Sequence, residues 1–184
     1  MLPQGVGLRC ANPTCGTCTA LESENIMTPA INAAKKANIS FQVHEYAHDP
    51  AAPSYGQEAA DALGQSPLRV FKTLLVALNG DGRRLAVAIV PVAGLLDLKA
   101  LAAALGVKKV AMADAADAER MTGYVLGGIS PLGQKRRLPM VLDSSALAQQ
   151  SMYMSAGRRG LEIELAATDL IALTGAITAS IGRS

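Results

Sequence analysis

The stretch V-F-K-T-L-L-V-A-L-N-G-D-G-R-R-L-A-V-A-I-V-P-V, residues 70–92, decides what kind of fold this chain can adopt. Two apolar, β-rich runs flank an Asn79-Gly80 dipeptide, and that combination predicts a tight β-hairpin. A tight hairpin joins antiparallel strands, whereas parallel strands need long crossover connections. A plain, doubly wound parallel sheet therefore fits this sequence poorly.

One lysine interrupts the first apolar run of this hairpin. Alternation along a strand places Lys72 on the same face as Leu74 and Val76. An ammonium group on an apolar face costs free energy unless it reaches water, a partner or a ligand. A lysine near a strand end can also extend its charge into water, so this position alone leaves a surface role open.

Capping residues and hydrophobic periodicity divide the rest of the chain into short elements. Five helices are expected, beginning at Thr28-Pro29, Ser54, Gly94, Asp114 and Thr168. About seven strands are expected, over 39–46, 70–78, 84–92, 107–112, 138–143, 151–155 and 161–165. This pattern predicts a mixed α/β domain with a curled or barrel-like mixed β-sheet of about six or seven strands, surrounded by helices.

Composition limits the classes of protein to which the chain can belong. Its 184 residues suffice for one domain, half of them are hydrophobic, and the net charge is only +2. The apolar runs are too short to span a bilayer, and the start lacks a secretory signal, so we expect a cytoplasmic protein without a membrane partner. Bulk charge does not indicate a polybasic nucleic-acid binder. Five clusters of basic residues remain, which either converge on phosphates or are scattered surface charge.

All three cysteines, Cys10, Cys15 and Cys18, lie within residues 1–26. Structural zinc usually takes four ligands, and the nearest histidines, His44 and His48, belong to a different segment. We therefore expect no metal and no cofactor. Residues 1–26 are expected to be a tail that is disordered or not native, and residues 27–184 to form the domain.

The remaining candidates for chemistry lie in the second half of the chain. The sequence carries no metalloprotease, Walker or nucleophile-elbow motif. Gly127-Gly128 can expose backbone amides to a ligand, because glycine permits close approach. Ser155 and Glu162 are expected to face each other across a second hairpin. Each feature alone is explained as well by structure as by function, but together with Lys72 they suggest a site.

From Met27 onward the chain resembles the YbaK/EbsC family of prolyl-tRNA editing domains. The matching stretches occur in order, and they are M-T-P-A, F-Q-V-H-E-Y-A-H-D-P, V-F-K-T-L-L-V, V-P-V-A-G-L-L-D-L-K, T-G-Y-V-L-G-G-I-S-P-L-G-Q-K-R-R-L-P and R-R-G-L-E-I-E-L-A. The resemblance covers nearly all of residues 27–184. It implies the family's editing-domain fold.

The resemblance also implies site residues. Lys72 matches the lysine that the family needs for deacylation, while Glu162 stands where close members carry aspartate and keeps the charge with one extra methylene. The other implied substrate-binding residues are Tyr46, Tyr55, Thr73, Gly127, Gly128, Ile129, Ser130, Pro131 and Ser155.

The implied function is trans-acting removal of cysteine from mischarged Cys-tRNA(Pro), with the substrate thiol taking part in ester cleavage. The implied partners are aminoacyl-tRNA(Pro) and prolyl-tRNA synthetase. Two alternatives stay open at this point. One is an Ala-tRNA(Pro) deacylase, and the other is a non-catalytic module that binds tRNA or the synthetase.

Overall fold

The predicted hairpin forms the centre of the molecule. The structure is a computed structural model that describes residues 27–183. It places β2 at Phe71–Leu78 and β3 at Asp81–Pro91, paired antiparallel with Lys72 opposite Val90. Asn79 and Gly80 both adopt positive φ, at 53° and 80°, as a primed hairpin turn requires. The hairpin prediction is confirmed.

The strands form three sheets, and the hairpin lies in the middle of the largest. The largest has the strand order β5-β2-β3-β6-β9, with β6 parallel to both of its neighbours; the second is antiparallel in the order β1-β8-β7; and the third pairs β10 with β4. Their bounds are β1 Phe41–Glu45, β4 Leu95–Leu96, β5 Val110–Met112, β6 Met140–Asp143, β7 Met152–Arg158, β8 Leu161–Leu165, β9 Ile177–Ala179 and β10 Gly182–Arg183. A parallel bridge between Val70 and Tyr153 links the first two sheets. The predicted mixed α/β fold is confirmed, and the curled arrangement does not close into a barrel.

Five α-helices pack around the sheets. They are α1 Pro29–Lys36, α2 Tyr55–Ala62, α3 Leu98–Ala104, α4 Ala115–Thr122 and α5 Ala167–Thr174, and a 3-10 turn spans Ser144–Ala148. The caps predicted for α1, α2 and α4 are present, since Thr28, Ser54 and Asp114 each accept a hydrogen bond from a first-turn amide. None of the helices within residues 27–183 has the length and apolar character needed to cross a membrane.

Two predicted helix starts were wrong. The helix expected from Gly94 begins at Leu98, because the Asp97 side chain accepts hydrogen bonds from the amides of Lys99 and Ala100 and so caps it there. The last helix begins at Ala167 rather than after Thr168, and Ala166 precedes it without a side-chain cap.

The short strands β4, β9 and β10 were not predicted either. The expected tail over residues 1–26, with its three cysteines, lies outside the described residues.

Side chains of β2 point alternately to its two faces and pack into two separate hydrophobic cores. Phe71, Leu75 and Ala77 lie in the main core between the first two sheets, while Val76 and Leu78 lie in a second core under α3. The central strand is thus buried on both faces. Lys72, Thr73 and Leu74 are only partly buried, and they form part of the candidate site.

The start of α1 is fixed to the second sheet by one hydroxyl. Thr28 Oγ1 accepts from the Ile31 amide and donates to the Ala156 carbonyl, and Thr28 is buried. We expect Thr28→Ala to lower the free energy of unfolding by about 1–2 kcal/mol, because it removes a helix cap and leaves a buried carbonyl unpaired. Urea denaturation measures this loss. Thr28→Ser keeps the oxygen and should recover most of it, and an equal loss in both variants would contradict the prediction.

Candidate functional site

A cavity of about 270 Å³ opens where four segments meet. The start of α2, the start of β2, the loop before Pro131 and the β7–β8 hairpin all contribute to its wall. We call this cavity the candidate editing pocket. Its lining residues are Ser54, Tyr55, Gly56, Val70, Phe71, Lys72, Thr73, Leu74, Leu126, Gly127, Ile129, Ser155 and Glu162.

Seven residues implied by the sequence line this pocket together. They are Tyr55, Lys72, Thr73, Gly127, Ile129, Ser155 and Glu162. The β7–β8 register pairs Ser155 directly with Glu162, which is the predicted pairing. Sequence reasoning did not assign the other six lining residues to the site, which are Ser54, Gly56, Val70, Phe71, Leu74 and Leu126. Ser54 carried a signal as a helix cap, but nothing in the sequence indicated that its helix would close over the pocket.

Four other implied residues lie off the pocket wall. Tyr46 packs against the small core under α2, and Pro131 lines a different cavity. Ser130 is fully buried, and its hydroxyl accepts from the Leu132 amide. A Cβ at Gly128 would lie 3.0 Å from the Arg158 Cα atom, so backbone rather than ligand fills that space. A substrate role for these four residues stays a prediction.

Lys72 is half-buried at the edge of the pocket. Its ammonium donates a hydrogen bond to the Gly94 carbonyl at 2.6 Å, and it forms no ion pair with any carboxylate of residues 27–183. Burial lowers its pKa. A cation held by one carbonyl keeps two further N–H donors for a ligand.

Glu162 is the most deeply buried carboxyl of the pocket, with 6% of its surface exposed. Burial raises its pKa from 4.5 to about 8, because the ionised form loses its hydration. The neutral acid therefore predominates at pH 7 and can donate a hydrogen bond. The sequence had suggested that Glu162 keeps the charge of the family's aspartate, and burial changes that expectation.

Glu162 also influences a tyrosine nearby. Burial first, and then the negative charges of Glu162 and Glu58, raise the pKa of Tyr46 to about 12. Tyr46 therefore stays a neutral phenol across the physiological range.

Thr73 contributes an unusual polar group to the wall. Its hydroxyl oxygen is shielded from solvent and has no hydrogen-bond partner within residues 27–183. Buried polar atoms without partners are uncommon and unfavourable.

Tyr55 and Arg159 hold in place the loop over residues 123–133, which we call the glycine loop. The Arg159 guanidinium donates twice to the Leu126 carbonyl, and its carbon lies 4.8 Å from the centre of the Tyr55 ring. A Cβ at Gly127, where φ is +82°, would come within 2.8 Å of that ring. Only glycine fits a positive φ under an aromatic ring, so the loop can close against α2.

The two histidines take part in local pairs rather than in a metal site. His44 contacts Glu164, and His48 contacts Glu58, each at 2.9 Å. Within the described part of the chain, no group of three or more His, Cys, Asp or Glu residues is placed to hold a metal ion.

Comparison with known proteins connects this geometry to a family. Residues 49–173 match the family model described as the aminoacyl-tRNA editing domain. A curated protein of Enterococcus faecalis (strain ATCC 700802 / V583), provisionally named Cys-tRNA(Pro)/Cys-tRNA(Cys) deacylase EbsC, is 37% identical over 154 residues, which cover 84% of this chain and 92% of that protein.

Two solved structures share the fold. One is a hypothetical protein, at a TM-score of 0.74 and 24% identity, covering 85% of this chain and 100% of that chain. The other is described as a candidate trans-editing enzyme for prolyl-tRNA synthetase, at a TM-score of 0.73 and 22% identity, covering 87% of this chain and 100% of that chain.

Proposed function

This chain belongs to the aminoacyl-tRNA editing domain family, and from that premise we propose that it removes cysteine from mischarged tRNA(Pro). Family membership gives the general activity, which is deacylation of aminoacyl-tRNA. The finer assignment to Cys-tRNA(Pro) is supported by the name of the Enterococcus faecalis relative, whose length the chain covers almost completely.

The need for such an activity follows from the size of the amino acids. Cysteine and alanine are no larger than proline, and an apolar pocket discriminates such analogues by only about 1–3 kcal/mol. A synthetase selecting proline therefore admits both. A second site that cleaves the wrong ester supplies the missing discrimination.

The observation that carries the proposal is the composition of the candidate editing pocket. A lysine without a carboxylate partner in the described chain, a neutral buried acid and an unpartnered hydroxyl line one small cavity. This set offers hydrogen-bond donors and one positive charge, and no thiol lines the cavity. Residues 27–184 contain no cysteine.

We assign the nucleophile to the substrate itself. The thiol sulfur of the esterified cysteine attacks its own ester carbonyl, an S–C bond forms, and the C–O bond to the terminal ribose breaks. The thiol proton goes to the departing ribose oxygen, and the cyclic thioester that is released is opened by one water molecule to free cysteine, so atoms and charge balance. Lys72 lies near the ribose and phosphate and stabilises negative charge, while neutral Glu162 donates to the carbonyl oxygen.

The proposal includes a partner and a location. Selectivity for tRNA(Pro) comes from association with prolyl-tRNA synthetase, which holds the mischarged tRNA when it is released. The reaction takes place in the cytoplasm, where tRNA is charged.

Three charged forms of one tRNA test the proposal. The purified protein is incubated with Cys-tRNA(Pro), Ala-tRNA(Pro) and Pro-tRNA(Pro), and ester loss is followed over time. We expect the cysteinyl ester to be cleaved fastest and the prolyl ester to persist. Faster loss of alanine would favour the alanine-specific alternative. Binding of tRNA without loss of any ester would favour a non-catalytic module.

The exposed basic clusters lead to a prediction about tRNA binding. Lys35-Lys36, Lys108-Lys109 and Arg158-Arg159 are exposed, and such side chains contact phosphates without reading bases. We expect affinity for tRNA to fall at least about tenfold between roughly 50 and 200 mM salt, and to change little when the anticodon is altered. Fluorescence anisotropy measures both effects. Strong discrimination among tRNAs carrying the same amino acid, without synthetase, would contradict the prediction.

A further inference from the structure

A second cavity, which we call the basic pocket, lies along the later half of the glycine loop. Its volume is about 220 Å³. Its floor is apolar, two arginines line it, and no acidic side chain contributes to its wall. The lining residues are Ala33, Pro131, Leu132, Gly133, Gln134, Arg136, Arg137, Met140, Leu173 and Thr174.

Gln134 gives this pocket a directed hydrogen-bond acceptor. Its amide nitrogen donates to the Ser130 carbonyl at 2.9 Å, and because a carbonyl only accepts, this bond fixes the orientation of the amide. The Gln134 oxygen, Oε1, is then shielded from solvent and accepts no hydrogen bond within residues 27–183. A buried acceptor without a donor is unfavourable, and a ligand with an N–H group would satisfy it.

Arg136 and Arg137 give the pocket its charge. Both side chains are exposed, and neither forms an ion pair within the described part of the chain. A guanidinium presents paired donors that match the oxygens of a phosphate. The wall therefore combines an apolar floor, one acceptor and two phosphate-binding groups.

We propose that the basic pocket binds one nucleotide of the tRNA whose base carries an exocyclic amino group, which cytosine, adenine and guanine have and uracil lacks. The base lies on the apolar floor, its amino group donates to Gln134 Oε1 after a side-chain rotation turns that shielded atom toward the cavity, and its phosphate binds Arg136 and Arg137. A volume of roughly seven water molecules, at about 30 Å³ each, suits a planar base with its phosphate at the mouth.

This inference rests on the proposed function and extends it to a second contact with the same substrate. Ile129 lines the candidate editing pocket and Pro131 lines the basic pocket. Two residues of extended chain span at most roughly 7 Å, so the two walls are close. The 3′ end of a tRNA, C-C-A, consists only of bases with an exocyclic amino group.

Binding of an uncharged tRNA(Pro) transcript tests the pocket without requiring any deacylation. We expect Arg136→Gln/Arg137→Gln to weaken binding about tenfold or more at low salt. The slope of log affinity against log salt concentration should fall by the amount that corresponds to about one to two phosphate contacts. The matched control is Arg83→Gln/Arg84→Gln, which also removes two exposed positive charges, in this case at the tip of the central hairpin. Equal effects of the two double variants would overturn the proposal.

The acceptor is tested separately from the charge. Gln134→Met keeps the size of the side chain and removes the amide, so tRNA binding should weaken about fivefold to tenfold with an unchanged salt slope. On the parent protein, cytidine 5′-monophosphate should raise the melting temperature more than uridine 5′-monophosphate, which presents a carbonyl in place of the amine. Equal shifts from the two nucleotides would overturn the assignment of the base.

These measurements also separate the two proposals. If the pocket variants lose tRNA binding as expected while the parent leaves Cys-tRNA(Pro) intact, the proposed function fails and the nucleotide site stands. If the parent cleaves Cys-tRNA(Pro) and the pocket variants bind tRNA normally, the nucleotide site fails and the function stands.

Discussion

Lys72→Met is expected to slow single-turnover hydrolysis of Cys-tRNA(Pro) by about a hundredfold or more, the effect of removing one preorganised electrostatic contact. The change removes the charge and keeps the apolar stem. Because burial lowers the pKa of Lys72 and one carbonyl is its bonded partner, stability should be unchanged or higher. Gly94 is partly exposed, so water can replace the lost donor.

Two further variants sharpen this test. Lys99→Met removes an exposed lysine from α3 and should leave both hydrolysis and the melting temperature at the parental values. Lys72→Arg should restore little activity, because a planar guanidinium is wider than an ammonium and is directed differently. Hydrolysis near the parental rate in Lys72→Met would place the charge outside the mechanism.

The second large effect concerns Glu162 and the dependence of stability on pH. Burial raises the pKa of this acid from 4.5 to about 8, so the folded state binds its proton more tightly than the unfolded chain does. The stabilising contribution of the proton is complete below pH 4.5 and is lost as the pH rises toward 8. Over that interval the loss is on the order of 5 kcal/mol, at about 1.4 kcal/mol for each pH unit.

Glu162→Gln isolates this contribution. The amide is neutral at every pH, so the variant should be more stable than the parent by several kcal/mol at pH 9 and should lose that advantage at pH 5. Denaturant unfolding at a series of pH values measures both curves. Glu45→Gln removes a carboxylate at an exposed position, where it pairs with Arg158, and serves as the matched control for loss of one acidic group. Parallel curves for Glu162→Gln and the parent would contradict the prediction.

Local signals in the sequence predicted most of the architecture. The caps at Thr28, Ser54 and Asp114 act within the first turn of a helix, and the turn at Asn79-Gly80 involves two residues. Each of these features can therefore be predicted from the local sequence. The strands β9 and β10 were missed because they are only two or three residues long and depend on partners far away in sequence.

The same distinction holds for the site. The pairing of Ser155 with Glu162 follows from the register of one hairpin, and it could be predicted. The contact of Lys72 with Gly94 and the packing of Gly128 against Arg158 depend on tertiary arrangement, and they could not. The burial of Glu162 also depends on tertiary arrangement, so its neutral state could not be predicted from the sequence.

The bridge between Val70 and Tyr153 has a consequence for folding kinetics. It joins the central hairpin to a strand made much later in synthesis, and Thr28 bonds to Ala156 across 128 residues. Proteins dominated by such distant contacts fold slowly, typically in milliseconds to seconds, because loop closure precedes the stabilising contacts. The candidate editing pocket is lined by residues from both ends of the chain segments that such contacts close. A ribosome must therefore release almost the whole domain before any catalytic competence can arise.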